Sequence, residues 1–301
     1  MRAVAENLTR QILRGHLAEG DLRAGAPIAV GVDQALLQDA TGTMAFLQYE
    51  QLGVPRVNVD RAVQYVDHNV VQLDFKNPDD HRMLQALARK HGVYFSRPGN
   101  GISHYVHLER FGKPGDILVG ADSHTTTGGA LGMIAVGAGG LDVAVVMAGF
   151  PYEIVCPAVV EVHLTRELAR PWVQAKDVIL ELLRRLTVTG GKDKVFEFGG
   201  PGLADLSVPE RGTIANMIAE LGATAAVSRP TSARATGCAA SNARMTSARL
   251  RLMPAVSTTS ASRSTSVRSA RSWPGRTTRT TWCRSRSWSG PRSRRSAWDP
   301  R

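Results

Sequence analysis

The chain has 301 residues, of which 43% are hydrophobic and 21% are charged, and this composition suits one or two globular domains. No stretch approaches the roughly 18 apolar residues of a membrane-spanning helix. No signal-peptide pattern opens the chain, and the three cysteines, Cys156, Cys238 and Cys283, show no disulfide or metal spacing. We therefore expect no membrane partner and a cytoplasmic location.

Helical and extended segments alternate over the first 227 residues. Apolar spacing and cap signals predict helices over 6–17, 39–52 (with Asp39 as the N-cap), 77–91, 175–186 and 213–221. Alternating or continuous apolar runs predict strands over 27–32, 116–120 and 159–164. Strands that alternate with helices indicate an α/β sheet with helices on its faces.

A glycine-rich run, GGALGMIAVGAGG, lies within 128–149, which we interpret as a helical stretch. The run lacks the G-K-[ST] of a phosphate-binding loop and does not fit G-x-G-x-x-G. Close packing of a helix on a sheet is the favoured explanation for its glycines.

Three clusters combine histidine with carboxylates. They lie in QYVDHN (67–68), in ISHYVHLERF (104 and 107) and, after the apolar run ILVGA, in DSH (122–124). Imidazoles and carboxylates at strand or loop ends suit proton transfer near neutrality, but the same spacing also allows a His/Asp metal site for hydrolysis. A lone histidine is more often structural, and we interpret His107 in that way.

Seven segments together resemble a known family. In chain order they are DATGTMAFLQYE, YVDHN, YFSRPGNGISHYVHLERFGKPG, GADSHTTTGGALG, GAGGLDVAVVMAG, AKDVILELLRRLTVTGG and TIANMIAELGAT. They resemble successive motifs of the aconitase family, occur in the family's order and cover nearly all of residues 5–227. The combination of G-A-D-S-H-T with an upstream Y-V-D-H makes the resemblance highly specific.

The resemblance implies an α/β fold of the aconitase type, with two similar three-layer α/β/α units and mixed sheets. It implies a hydro-lyase of the tricarboxylic acid cycle, which interconverts citrate and isocitrate through cis-aconitate. The family holds a [4Fe-4S] cluster in which one iron without a cysteine ligand acts as a Lewis acid. A small tricarboxylate is then the expected partner of a monomeric protein.

The resemblance also assigns roles to individual residues. Three pairs of an imidazole and a carboxylate are implied: Asp67–His68, His104–Asp122 and His124–Glu220. The first pair helps to protonate the departing hydroxyl, and such ion pairs keep the imidazoles charged. Ser123 and Asn216 are implied as substrate contacts, and Thr43 stands where some members carry a substrate-binding Gln.

Other parts of the family correspond to positions beyond Val227. The three cluster cysteines and the C-terminal domain, with its catalytic Ser and substrate-binding Arg residues, belong there. Cys238 and Cys283 lack the G-S-C-T-N and C-x-x-C contexts of cluster ligands, and we interpret Cys156 as a buried structural thiol. We therefore expect a truncated, inactive chain that lacks the cysteine ligands of the cluster and contains no metal-ligating residues.

The residues 228–301 form an Arg/Ser-rich tail that we expect to be disordered and separate from the catalytic domain, 1–227. The tail has 16 Arg, no Lys and one acid, Asp299, so its charge is +15 and that of residues 1–227 is −4. Four of the five Trp lie in the tail, although disordered basic arms are poor in Trp and normally mix Lys with Arg.

A one-base frameshift explains this composition. Each shifted codon consists of the third base of one original codon and the first two bases of the next. Met and Trp each have a single codon, so the amino acid encoded by the shifted codon that follows them is fixed. Met245-Thr246 then gives Asp, Trp282-Cys283 gives Val and Trp298-Asp299 gives Gly. With allowed codon choices the tail begins FPTDERARDRLRGQQREDDF, which resembles the aconitase continuation.

Two alternatives to an aconitate hydratase remain open. The large subunit of 3-isopropylmalate or homoaconitate dehydratase shares the D-S-H-T motif, but MRAVAENLTRQILRGHLAEG and SRPGNG favour the single-chain branch. From another class, the basic tail could neutralise phosphates and make the chain an RNA-binding protein. Specific nucleic-acid binding is the weaker hypothesis, because charge alone binds nucleic acid non-specifically.

Overall fold

The computed structural model describes residues 6–165, 168 and 172–231, together with the backbone of 265–267. All of these residues belong to one compact unit, Met1–Ala270. Most of the tail 228–301, which the sequence predicts to be disordered, lies outside the described residues.

Helices and strands alternate along much of the described chain, with more strands than the sequence predicts; the helix predicted over 213–221 begins earlier, at Val208, and ends as a 3-10 segment. The helices are α1 (Leu8–His16), α2 (Asp39–Gln51), α3 (Lys76–His91), α4 (Ser103–Arg110), α5 (Gly140–Met147), α6 (Ala175–Leu186) and α7 (Val208–Met217). The strands are β1 (Leu17–Gly20), β2 (Pro27–Val30), β3 (Gln34–Leu37), β4 (Arg61–Tyr65), β5 (Tyr94–Ser96), β6 (Ile117–Gly120), β7 (Ile134–Gly137), β8 (Tyr152–Val155), β9 (Ala158–Leu164), β10 (Lys194–Gly199), β11 (Ala225–Ser228) and β12 (Thr265–Val267). Short 3-10 segments lie at Ser123–Leu131, Pro201–Leu203 and Ile218–Leu221. None of the helices in this part of the chain combines the length and apolar character of a membrane span.

A five-stranded parallel sheet, in the order β5-β4-β3-β6-β7, is covered on both faces. Helices α2, α3 and α5 pack on one face through buried side chains such as Phe46, Leu84 and Met147. Helix α4 and the segment Ser123–Leu131 cover the other face, around Tyr65. Parallel strands are normally buried in this way, because the crossover helices lie on the faces of the sheet.

A second parallel sheet has the order β11-β10-β9-β12. Helices α6 and α7 pack on one of its faces, where Ile179, Phe196 and Ile214 are buried. The other face meets α1 and a small antiparallel sheet, β1-β2-β8, around Leu13. The described chain combines helices with parallel and antiparallel sheets, and the predicted α/β class is confirmed.

Helix α1 is anchored to the second sheet by the buried carboxylate of Glu197 in β10. This carboxylate accepts hydrogen bonds from the backbone N–H (2.9 Å) and the hydroxyl (2.8 Å) of Thr9. Arg229, just after β11, donates to the same carboxylate at 2.6 Å. The described structure thus extends past Val227, and the domain boundary placed there from the sequence stays a prediction.

Two predicted helix boundaries have different outcomes. The predicted helix over 175–186 coincides with α6. Asp39, in contrast, is not the N-cap of α2: the side chain of Gln38 accepts a hydrogen bond from the N–H of Ala40, and Asp39 lies inside the first turn. The prediction is wrong because a more distant part of the chain binds the Asp39 carboxylate.

The interpretation of 128–149 as one helical stretch is also wrong. Strand β7 divides it, because a short buried apolar run has no periodicity that separates a strand from a helix. The close packing expected of the glycines is present at Gly129, where an added Cβ would overlap the carbonyl oxygen of Ala226 in β11.

We expect Gly129→Ala to destabilise the fold by about 3 kcal/mol, because the β11 backbone cannot move away without disturbing its strand pairing. Gly15→Ala in α1 is the matched control. Nothing lies within 4 Å of a Cβ added at Gly15, and Ala is the better helix former, so its stability should rise by up to about 1 kcal/mol. Urea unfolding of the three proteins measures both effects, and an unchanged midpoint for Gly129→Ala would contradict the packing described.

Candidate active site

The predicted site residues that follow β4 and β6 meet at one edge of the five-stranded sheet. Asp67 and His68 follow the end of β4 after one intervening residue, and Asp122 likewise follows the end of β6 after one intervening residue. These two strands flank β3, and all three are parallel, so their carboxyl ends open on the same crevice. Helix α4 begins beside them and contributes His104.

Four side chains form a continuous series of contacts, here called the network: Asp67, His68, Asp122 and His104. Asp67 Oδ1 lies 2.8 Å from His68 Nδ1, and His68 Nε2 lies 3.2 Å from Asp122 Oδ2. The other oxygen of Asp122 lies 2.9 Å from His104 Nε2. The second oxygen of Asp67 accepts a hydrogen bond from the N–H of Ser103, at the start of α4, at 2.7 Å. Two loops and a helix are thereby linked through alternating carboxylates and imidazoles.

The electrostatics of the network favour an ionised Asp122 and a protonated His68. Burial acts to raise the pKa of Asp122, but His104, the N–H of His124 and the charge of His68 lower it to about 2. Burial likewise acts to lower the pKa of His68, but the hydrogen bond and charge of Asp67 and the charge of Asp122 raise it above its ordinary value. Near neutrality this geometry favours an imidazolium held between two carboxylates, which is suited to donating a proton.

His104 is the more buried imidazole of the network, with 7% of its side chain exposed against 39% for His68. Its Nδ1 has no hydrogen-bond partner among the described residues. The ring of His124 lies edge-on to it, with the ring centroids 6.3 Å apart. Because an unpartnered buried nitrogen is costly, this atom is a position at which a ligand in the crevice could form a hydrogen bond.

The third predicted pair, His124 and Glu220, is a loose one. Their closest nitrogen and oxygen atoms are 3.8 Å apart, and 58% of the Glu220 side chain is exposed. The other ring nitrogen of His124 lies 3.2 Å from the backbone carbonyl oxygen of Asn216. The Asn216 side chain donates to the hydroxyl of Thr127 at 2.9 Å. Asn216 thus contacts the site through its backbone, and its predicted substrate contact stays a prediction.

The two remaining predicted substrate contacts differ in position. Ser123 is exposed between Asp122 and His124, which leaves it open to the crevice. Thr43 lies in α2 and donates its hydroxyl to Asp80 of α3 at 3.1 Å. The structure brings Ser123 next to the network, whereas Thr43 forms its described hydrogen bond with a neighbouring helix instead.

His107, interpreted from the sequence as structural, lies on the same helix as His104 but points into the core. Its two ring nitrogens lie 3.0 Å from the Tyr65 hydroxyl and 2.9 Å from the Gln34 side-chain oxygen. Burial, with smaller contributions from the charges of His104 and Arg61, lowers the pKa of His107 to about 3. A neutral, fully hydrogen-bonded imidazole takes no part in proton transfer near neutrality.

Sequence reasoning missed Asp39. Its carboxylate lies against the loop that contains Asp67 and His68, and the three residues offer oxygen and nitrogen atoms within 4.8 Å of one another. Such a group could bind a metal ion, as the alternative drawn from the sequence supposes. Both oxygens of Asp39, however, already accept hydrogen bonds from Asp67, His68, Asn69 and His81, so the geometry does not favour a cation there.

The described residues do not fit an iron–sulfur cluster. Such clusters are held by several cysteine thiolates that converge on the metal, and the described part of the chain offers Cys156 alone. Cys156 is 4% exposed within the apolar layer beneath α1, and burial raises the pKa of its thiol. This agrees with its interpretation as a structural thiol, whereas Cys238 and Cys283 lie outside the described residues.

The parallel sheet and the network at its carboxyl edge define an α/β protein with a candidate acid–base site. The model of the aconitase family, described as aconitate hydratase, matches residues 10–245. The chain therefore belongs to the aconitase family.

Curated relatives show the same likeness. The chain is 39% identical over 232 residues to the mitochondrial aconitate hydratase of Schizosaccharomyces pombe, covering 73% of this chain and 29% of that protein. It is 38% identical over 234 residues to a probable mitochondrial aconitate hydratase of Caenorhabditis elegans, covering 73% and 30%. It is 40% identical over 202 residues to the mitochondrial aconitate hydratase of Aspergillus fumigatus, covering 64% and 25%. The chain thus spans less than a third of the length of these relatives.

The comparisons correct one expectation. A cytoplasmic location was expected from the absence of a signal-peptide pattern, but these three relatives are named mitochondrial. The prediction is wrong because the absence of one targeting pattern does not identify a compartment.

Proposed function

We propose that the described residues form the acid–base part of an aconitate-hydratase-type site, which acts on a hydroxy-tricarboxylate such as citrate or isocitrate. The observation that supports this most directly is the network, in which His68 lies between Asp67 and Asp122 at the carboxyl edge of a parallel sheet. The names of the relatives favour the same activity.

In this proposal His68 donates a proton to the hydroxyl that leaves during dehydration. Asp67 and Asp122 stabilise the imidazolium before the transfer, and in the reverse direction they favour return of the proton to His68. His104 shares the Asp122 carboxylate, so the charge on one imidazole affects the other. Ser123 lies beside them in an exposed position and can donate a hydrogen bond to a substrate carboxylate.

We further propose that the chain is inactive without the segments that supply the cluster ligands and the catalytic Ser of the family. In that case the described residues still provide imidazoles that can respond to a bound tricarboxylate. Binding can then be measured independently of turnover.

A titration with citrate, followed by NMR of the histidine side chains, tests the proposed site. We expect citrate to shift the ring resonances of His68, His104 and His124, because an anion close to these rings stabilises their protonated forms. The affinity should be weak, with a Kd of roughly 1 mM or above, since the described residues supply only part of the site.

The controls separate a built site from general anion binding. His91, which lies at the far end of α3 beside Glu50, should not move. Sulfate at equal ionic strength should produce smaller shifts than citrate, and equal shifts would contradict the proposal. Larger shifts with 3-isopropylmalate than with citrate would favour the isopropylmalate dehydratase branch.

A further inference from the structure

Asp39 is a fully buried carboxylate that contacts the site from another element. Its side chain is 0% exposed in the first turn of α2. One oxygen accepts hydrogen bonds from the backbone N–H groups of Asp67 (3.0 Å) and His68 (2.9 Å). The other oxygen accepts one from the N–H of Asn69 (2.8 Å) and lies 3.2 Å from His81 Nε2. A single carboxylate therefore binds three consecutive backbone amides.

Capping of α2 does not account for these contacts. The N-cap of α2 is formed by Gln38, so the helix does not need Asp39 there. The loop at 67–69 belongs to no helix or strand, and among the described residues its amides have no other hydrogen-bond acceptor. Burial acts to raise the pKa of Asp39, but the amides of His68, Asp67 and Asn69 outweigh this effect and lower it, so the carboxylate stays ionised.

The neighbouring helix α3 completes the arrangement. His81 of α3 is 10% exposed at its side chain, and its second ring nitrogen, Nδ1, lies 3.2 Å from the side-chain nitrogen of Gln72. The Asp39 carboxylate is thus fixed from both sides, by the loop and by α3. A carboxylate held in this way is a rigid support for whatever it binds.

We propose that Asp39 is a positioning residue of the site, which fixes the loop 67–69 so that His68 stays between Asp67 and Asp122. The inference rests on the proposed function for the chemical meaning of His68, but its geometry does not depend on a substrate. One oxygen of Asp39 accepts hydrogen bonds from the backbone N–H groups of Asp67 and His68 themselves. Asp39 therefore fixes the backbone from which these two side chains extend. A loop free to turn there would lose the 2.8 Å and 3.2 Å contacts of His68.

Amide hydrogen exchange of the unaltered chain is the first test. The amides of Asp67, His68 and Asn69 should exchange at least roughly tenfold more slowly than those of Val71 and Leu73, whose side chains are 79% and 90% exposed a few residues later. Equal exchange at all five positions would overturn the proposal. This measurement needs no substitution, so it applies even if a variant fails to fold.

The second test follows the NMR titration of His68 in Asp39→Asn and Asp39→Ala. Both variants remove the Asp39 charge, which is one of the causes that raise the pKa of His68, so both should lower that pKa. The positioning role predicts in addition faster exchange at 67–69 and a larger fall of the pKa in Asp39→Ala. Asn should have the smaller effect, because its carbonyl oxygen still accepts two of the four hydrogen bonds. Asp33→Asn is the matched control, since Asp33 also binds a backbone amide (Ile117) and a histidine (His16), at the opposite end of the sheet. That control should leave His68 unchanged.

Two results would overturn the positioning role. One is a folded Asp39→Ala chain in which the amides of 67–69 exchange as slowly as in the unaltered protein, because loss of charge alone does not change their protection. The other is an equal change of the His68 pKa in the Asp33 control, which would indicate only a general loss of stability. The citrate titration of the unaltered chain tests the proposed function separately, because it involves neither variant.

Discussion

Restoring the reading frame at the codon of Ser228 is expected to give a chain that binds an iron–sulfur cluster and hydrates cis-aconitate, whereas the unrestored chain is expected to do neither. The expectation follows from a tail with 16 Arg and no Lys, and from the outcomes that a one-base shift forces after Met245, Trp282 and Trp298. The change should be all-or-none, because a cluster requires several converging thiolates and the described residues offer Cys156 alone.

The experiment compares the two chains after anaerobic incubation with iron and sulfide. Absorbance of the cluster and hydration of cis-aconitate are measured on both, and sequencing of the gene around the Val227 codon provides an independent check. A cluster with turnover in the unrestored chain would overturn the frameshift proposal. A restored chain that acts on 3-isopropylmalate but not on citrate would change the branch of the family, and the hydro-lyase assignment would remain.

The location of the site could be predicted from the sequence because it depends on local signals. Asp67-His68 and Asp122 each follow an apolar run, and the carboxyl ends of parallel strands share an edge. The sequence also predicted a structural role for His107 and a site role for His104, although both were expected on one helix. The contacts of His107 are those of a structural residue. Their different surroundings come from the Tyr65 hydroxyl and the Gln34 amide, which belong to two strands distant in sequence.

The features that the sequence could not predict depend on long-range contacts. Asp39 has the residue type of an N-cap, but its partners are amides 28 to 30 residues further along the chain. The helix predicted over 128–149 contains β7, whose four residues pair with β6 in a buried sheet. Short buried strands of this kind have no period that distinguishes them from helices.

Asp122→Asn is expected to lower the pKa of His68 and, in the frame-restored protein, to reduce turnover by roughly 10²- to 10⁴-fold. Asp122 is ionised at every pH well above about 2, and its charge is one of the causes that raise the pKa of His68. The neutral amide removes that charge, while burial of the ring continues to favour the neutral imidazole.

The sign of this effect appears in the pH dependence. His68 has a raised pKa, so the stabilisation that its protonated form receives is fully present below about pH 6.5 and is lost as the pH rises through the raised value. In Asp122→Asn the stabilisation of protonated His68 should be lost at a lower pH than in the unaltered protein. The alkaline limb of the turnover profile should shift in the same direction, because the proposed proton donor is the imidazolium.

Asp116→Asn is the matched control. Asp116 is also a buried aspartate, 4% exposed, but it lies just before β6, whereas Asp122 lies just after this strand. Its carboxylate lies 2.9 Å from the Lys113 ammonium and accepts a hydrogen bond from Gln34 at 2.7 Å, so its loss should reduce stability. It should leave the His68 titration and the alkaline limb in place. If Asp122→Asn kept the His68 pKa of the unaltered chain, the carboxylate between the two imidazoles would have no part in holding the proton. The raised pKa of His68 would then come from Asp67 and Asp39.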